Sequence, residues 1–72
     1  MTQPPERTDV DRLIEALDAM PRLSRIAFLL HARRGLSVDR IARRLGISRR
    51  RARRAFVKAI EHIDRTWRDR PD

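Results

Sequence analysis

A chain of 72 residues with 18 Lys and Arg, 10 Asp and Glu, 2 His and no Cys forms one small domain at most. The lack of Cys excludes a disulfide framework and a thiolate metal site, and two His alone do not make a structural zinc site. A chain this short buries only about 60% of the surface that its unfolded form exposes, which is too little for an ordinary two-lobed enzyme cleft. We therefore expect no catalytic residue, no metal, no cofactor and no small-molecule substrate.

The apolar segments of the sequence are short. The longest uninterrupted one, residues 26–30, cannot span a membrane. The N-terminus carries Pro4 and Pro5 and lacks the apolar segment of a signal peptide. These features predict a cytoplasmic protein with no membrane partner.

The net charge of +8 is concentrated in the middle of the chain. Residues 33–58, the basic block, carry ten Arg, one Lys and one Asp. The net charge of this block exceeds that of the whole chain. Such a block repels itself unless a polyanion neutralises it, and the planar guanidinium of Arg suits both phosphates and guanine edges. A GC-rich coding bias explains the preference for Arg over Lys, but not the clustering. The clustering therefore predicts a nucleic-acid partner.

The first predicted helix follows a short segment that we expect to be a flexible tail, residues 1–7. Thr8, followed three residues later by Asp11, forms a capping arrangement. Apolar residues at helical spacing then predict a helix near residues 9–19. Its inward stripe is Val10, Leu13, Ile14 and Leu17.

The second predicted helix covers residues 21–34. Pro21 suits the first position of a helix, because its missing N–H would have no partner there. Gly35 follows two Arg residues and ends the helix. The apolar residues at spacings of three and four are Leu23, Ile26, Ala27 and Leu30.

The third predicted helix is short and spans residues 38–45. Ser37 is a suitable N-cap, and Gly46 supplies a left-handed turn at the other end. The residues expected to point inward are Val38, Ile41, Ala42 and Leu45.

The fourth predicted helix is the longest, from Arg49 to about Trp67, with Ser48 as its cap and residues 69–72 as a tail. A short helix, a Gly turn and a longer helix form the pattern of a helix-turn-helix. No strand pattern is present. We therefore predict an all-α fold of four helices: a single helix-turn-helix domain over residues 8–68, with the first helix as an N-terminal support.

The fourth helix divides into two faces at about 100° per residue. One is an apolar stripe centred on Phe56, and the opposite face is basic. The other members of the stripe are Ala52, Ala59, Ile60, Ile63 and Trp67. Because the start of the second motif helix reads base edges, the predicted base-contacting residues are Arg50, Arg51 and Arg54. The predicted backbone-contacting residues are Arg40, Arg43, Arg44, Ser48, Arg49, Arg53 and Lys58. Glu61 would repel phosphates, so contact with DNA should end near Lys58.

Five stretches carry a resemblance to a known family: Leu-Asp-Ala-Met-Pro-Arg at 17–22, Arg-Ile-Ala-Phe-Leu-Leu-His at 25–31, Gly-Leu-Ser at 35–37, Ile-Ala-Arg-Arg-Leu-Gly-Ile-Ser at 41–48 and Lys-Ala-Ile-Glu-His-Ile at 58–63. In this order and spacing, residues 11–63 resemble region 4 of sigma-70 family RNA polymerase sigma factors, especially the extracytoplasmic-function type. The resemblance implies that the fourth helix binds a promoter −35 element as duplex DNA. It also implies two protein partners, the β flap of RNA polymerase and an anti-sigma factor.

The sequence departs from this family in charge and in length. Arg51, Ala52 and Arg53 stand where the family often has a Thr-Val-Glu-like run, and Arg40 and Arg43 replace an acid common in the preceding helix. We expect lower sequence specificity and stronger backbone binding as a result. Region 2 of the family is absent, so we expect either a stand-alone region 4 or a fragment of a longer sigma factor.

A second hypothesis treats the chain as a protein-interaction module with weak, non-specific DNA binding. An apolar groove between the second and third helices would then hold the polymerase flap or a sigma antagonist. Its candidate residues are Phe28, Leu29 and Leu36.

Overall fold

The computed structural model describes residues 8–68 and contains four helices: α1 (Asp9–Ala19), α2 (Arg22–Arg34), α3 (Val38–Leu45) and α4 (Arg49–Arg68). No strand occurs in this part of the chain, so the predicted all-α class is confirmed. The two predicted tails, residues 1–7 and 69–72, lie outside the described residues. None of the described helices is long and apolar enough to cross a membrane.

Side-chain caps start three of the four helices, as predicted. The Thr8 hydroxyl accepts from the N–H of Asp11 at 3.1 Å, and the Asp11 carboxylate accepts from the N–H of Thr8 at 3.3 Å. The hydroxyls of Ser37 and Ser48 each accept from the backbone N–H three residues later, at 3.2 and 3.0 Å. These bonds satisfy N–H groups that have no partner within the helix.

Pro21 is not the first residue of α2, and this prediction was wrong. Its φ of −58° suits a helix, but its ψ of 151° is extended, so the helix begins at Arg22. The Pro21 carbonyl accepts the first helical bond, from the N–H of Arg25 at 3.0 Å. Proline fixes φ alone, and its ring therefore fits the position before a helix as well as the first position within it.

The two glycines close α2 and α3. Gly35 and Gly46 have φ of 68° and 69°, the left-handed conformation that only glycine adopts without strain. The N–H of Ile47 then donates to the Ala42 carbonyl at 3.0 Å, which completes the turn between α3 and α4. Both predicted stops are confirmed.

The core is built mainly from small residues around α4, which packs against each of the other three helices. Its central cluster consists of Ala27, Ile41, Ala42, Ala52 and Ala55. The inward residues predicted for α3 are confirmed: two of them are buried in this cluster and the other two, half-buried, pack against it. Short Ala side chains allow the axes of neighbouring helices to approach each other closely. Ile41 is the largest fully buried apolar side chain.

The predicted stripe on α4 is confirmed in part and lies off-centre: it included the buried Ala52 and Ala59 but not the buried Ala55. Ala52, Ala55 and Ala59 are the buried residues of this helix, while Phe56 is only half-buried and Ile60 is 44% exposed. The buried face is therefore rotated by about 70° from Phe56. The reason is steric, since three alanines at spacings of three and four let the neighbouring helices pack closer than a Phe-centred face would.

The stripe predicted for α1 is also confirmed in part, because Leu13 and Leu17 are half-buried. Ala16 and Met20 are buried, whereas Val10 and Ile14 are 63% and 50% exposed. The end of α1 is also held by α2, because the Arg25 guanidinium donates to the Leu17 carbonyl at 3.0 Å. This side chain was not assigned a role from the sequence.

Candidate nucleic-acid interface

The basic block lies on α3, on α4 and on the turn that joins them. Ile47 in this turn packs half-buried against the core cluster, so the direction in which α4 leaves α3 is fixed. The following residue, Ser48, caps α4. The arrangement is a helix-turn-helix in which α4 occupies the place of the recognition helix.

The position of the buried alanines decides which Arg residues of α4 point outward. At about 100° per residue, Arg50 lies opposite the buried face, with Arg53 and Arg54 on either side of it. All three are exposed, and we call them the outward face. No acid occurs in α4 before Glu61.

The remaining cations of the first half of α4 lie on its two flanks. Arg51 and Lys58 line a cleft of about 200 Å³ against the start of α2, and Arg54 lies at the border between this cleft and the outward face. On the other flank, the Arg49 guanidinium forms an ion pair with Asp39 of α3 at 3.1 Å.

The third helix adds a second cationic surface. Arg40, Arg43 and Arg44 are exposed and line one shallow concavity together with Leu36. No residue of α4 lines this concavity. The predicted DNA-binding residues therefore lie on two helices that pack against each other.

The predicted division between base contacts and backbone contacts stays a prediction, but the geometry favours exchanging the roles assigned to Arg51 and Arg53. Arg51, predicted to contact bases, lies on the flank towards α2. Arg53, predicted to contact the backbone, lies on the outward face. The exchange follows directly from the rotation of the buried stripe, which helical spacing alone did not reveal.

A comparison with known protein families identifies the family of this helix-turn-helix. The family model described as Sigma-70, region 4 matches residues 11–63. The chain belongs to the sigma-70 region 4 family. No curated protein and no solved structure matches the chain.

Sigma-70 region 4 is a bacterial, non-enzymatic helix-turn-helix domain that functions in transcription. Members of the family bind DNA and the RNA polymerase β flap. The resemblance found in the sequence is thereby confirmed for the family. The extracytoplasmic-function type and the stand-alone status stay predictions. Within residues 8–68, no group of three or more His, Cys, Asp or Glu is placed to hold a metal ion.

The three flap-groove candidates of this region 4 domain are half-buried but do not form one groove. Leu29 lines a concavity of about 330 Å³ on α2 that also involves Ile26, Leu30, Arg33 and Arg34. Leu36 lines the concavity of α3 described above, and Phe28 lines neither. Sequence reasoning missed Ile26 and Leu30 as members of this surface, although Ile26 stands three residues before Leu29 and four before Leu30.

Replacing Asp39 with Asn should strengthen duplex binding, because Asp39 is the one acid of the basic block and holds Arg49. The freed guanidinium would add about one phosphate contact, steepening the log–log salt slope by about 0.9. The pair is exposed, so the free energy of unfolding should change by less than about 1 kcal/mol. Titration of a duplex at several salt concentrations measures the slope.

The matched control is Asp64→Asn, which releases Arg68 from an exposed ion pair of 2.9 Å beyond the basic block. An equal gain in both variants would show that net charge alone, and not the position of Arg49, governs binding.

Proposed function

We propose that this region 4 domain binds a −35-like promoter element as duplex DNA, with the outward face of α4 in the major groove. The observation that carries the proposal is the position of Arg50, Arg53 and Arg54 opposite the buried alanines, at the start of the second helix of the motif. Arg pairs bidentately with guanine O6 and N7. The ten residues from Arg49 to Lys58 rise by about 15 Å, or about four base pairs of duplex.

The other cations are proposed to contact phosphates. Arg51 and Lys58 on one flank and Arg49 on the other lie where the two DNA backbones would pass a helix inserted in the groove. The surface of α3 and the Ser48 cap add further contacts. With five to eight phosphates neutralised, the log–log salt slope should be roughly −4.5 to −7. This binding would take place in the cytoplasm, where duplex DNA and the polymerase are found.

The proposal is tested by selecting duplexes from a randomised pool and comparing the best one with its scrambled version at two salt concentrations. A preference of about tenfold or more, equal to about 1.4 kcal/mol, together with a steep salt slope, is expected. Equal, salt-sensitive binding to both duplexes would overturn sequence-specific recognition. It would leave the Arg cluster as an electrostatic anchor.

A second candidate function rests on the concavity of α2. Its half-buried Leu29, Leu30 and Ile26 offer an apolar surface, bordered by Arg33 and Arg34, to the polymerase β flap or an anti-sigma factor. Leu29→Asp should then abolish binding of the flap while sparing the duplex, and Arg50→Ala with Arg54→Ala should do the reverse. Loss of both activities in Leu29→Asp would indicate misfolding or a single shared surface.

A further inference from the structure

A cleft between the start of α2 and the flank of α4 has the features of an anion site. It is lined by Arg51, Arg54 and Lys58 of α4 and by Leu23 and Ser24 of α2, with no acid among its lining residues. Within residues 8–68, the ion pairs of α4 involve Arg49 and Arg68, and none involves these three cations. The cleft therefore combines cations without a protein counter-charge.

The first turn of α2, of which Leu23 and Ser24 line the cleft, carries backbone N–H groups without an acceptor in the helix. The first helical bond runs from the N–H of Arg25 to the Pro21 carbonyl, so the N–H groups of Arg22, Leu23 and Ser24 have no carbonyl partner within the helix. The side chain of Pro21 does not cap these N–H groups, and no acidic residue occupies the first turn of α2. The positive end of the helix macrodipole thus lacks a protein acceptor.

Ser24 supplies the second, independent observation. It is the one buried polar residue of the described chain, at 2% exposure, and its hydroxyl makes no hydrogen bond within residues 8–68. Every side-chain N or O atom that is completely enclosed within residues 8–68 has a hydrogen-bond partner, so the Ser24 hydroxyl, which has none, retains a small exposed area. Ser24 lines this cleft. The hydroxyl therefore has no protein partner and meets the cleft through its small exposed area, where a ligand oxygen could accept its hydrogen bond.

We propose that this cleft binds one phosphate group, held by the first N–H groups of α2, the Ser24 hydroxyl and the side chains of Arg51 and Lys58. Arg54 borders the site. The inference rests on the proposed function in one respect: a backbone phosphodiester is the phosphate that duplex DNA supplies. Free inorganic phosphate has the same chemistry and would compete for the site, which makes duplex binding sensitive to phosphate beyond its ionic strength.

The test titrates the full chain with inorganic phosphate and follows backbone amides by NMR, against sodium chloride at equal ionic strength. Saturable shifts are expected at the amides of Arg22, Leu23 and Ser24. The first-turn amides of α3, which Ser37 caps, serve as the internal control and should move only as they do in chloride. Shifts spread evenly over the basic block would overturn the proposal.

Three variants sharpen the test. Arg51→Gln with Lys58→Gln should raise the phosphate concentration at half-saturation about tenfold, whereas Arg33→Gln with Arg34→Gln, which removes the same charge elsewhere in the block, should not. Ser24→Ala should weaken phosphate binding without lowering the free energy of unfolding, because the hydroxyl it removes has no protein partner. Equal weakening by both double variants would contradict a site.

The duplex distinguishes the two sources of phosphate. If DNA supplies it, Arg51→Gln with Lys58→Gln lowers the magnitude of the salt slope by about 0.9, because the two side chains share one phosphate, and inorganic phosphate raises the duplex Kd about twofold at its own half-saturation. An unchanged slope with saturable amide shifts would assign the site to free phosphate. Failure of the duplex to bind at all would refute the proposed function, while the amide shifts would still decide the cleft.

Discussion

Ile41→Ala is expected to lower the free energy of unfolding by about 2–5 kcal/mol. Ile41 has 0% exposure and is the largest apolar side chain that is fully buried, in a cluster whose other buried members are alanines. The other buried members of its cluster are alanines, which are too short to fill the cavity that the substitution leaves. At about 0.05–0.15 kcal/mol per residue, a domain of this size has only about 4–11 kcal/mol in total. Urea denaturation, followed by circular dichroism and by the fluorescence of Trp67, measures the change.

Val57→Ala provides the matched control for this prediction. It also shortens an aliphatic side chain, but Val57 is 47% exposed on α4 and should lose less than about 0.5 kcal/mol. Comparable losses in the two variants would mean that the alanine-rich cluster is not the centre of the core.

Arg50→Gln with Arg54→Gln is expected to weaken binding to the selected duplex by about 30-fold or more and to remove its preference over the scrambled one. Both side chains lie on the outward face of α4. A good bidentate contact to a base contributes about 1–3 kcal/mol of discrimination, so two such contacts exceed 2 kcal/mol. Binding to the scrambled duplex should fall less, because it loses electrostatic attraction alone. Fluorescence anisotropy with both duplexes measures the two affinities.

Removing two charges from the same helix beyond Glu61 separates base recognition from electrostatics. Arg65→Gln with Arg68→Gln should lower both affinities slightly and equally, since both side chains lie past the expected end of DNA contact. If this pair weakened the selected duplex as much as the outward pair, α4 would not be the recognition helix.

Much of the fold could be predicted because the helix ends are local. A hydroxyl at Ser37 or Ser48 and a glycine at Gly35 or Gly46 act within three or four residues of their own position, so the pattern of caps and stops is visible in the sequence. The family resemblance was visible for a similar reason, since its residues recur in a fixed order and spacing. Pro21 was the exception, because its ring suits two adjacent positions equally well.

The candidate site was less predictable because it depends on which face of α4 is buried. Hydrophobicity favoured a stripe centred on Phe56, since it ranks Phe and Ile above Ala. Close packing of several helices favours the smaller side chains instead, and Ala55 is buried while Ile60 is exposed. The change of face moves Arg53 outward and turns Arg51 towards α2.

The sequence by itself determined the four helices, their ends apart from the start of α2, and the concentration of charge in residues 33–58, because capping, helical spacing and charge are properties of short segments. Only the tertiary structure decided in which direction each Arg residue of α4 faces. It did so by packing α4 against α1, α2 and α3 through its alanines, which sets the rotation of α4 about its axis. The same packing places Arg51 and Lys58 beside the uncapped start of α2, about 30 residues away in sequence, where no local pattern could have revealed the cleft.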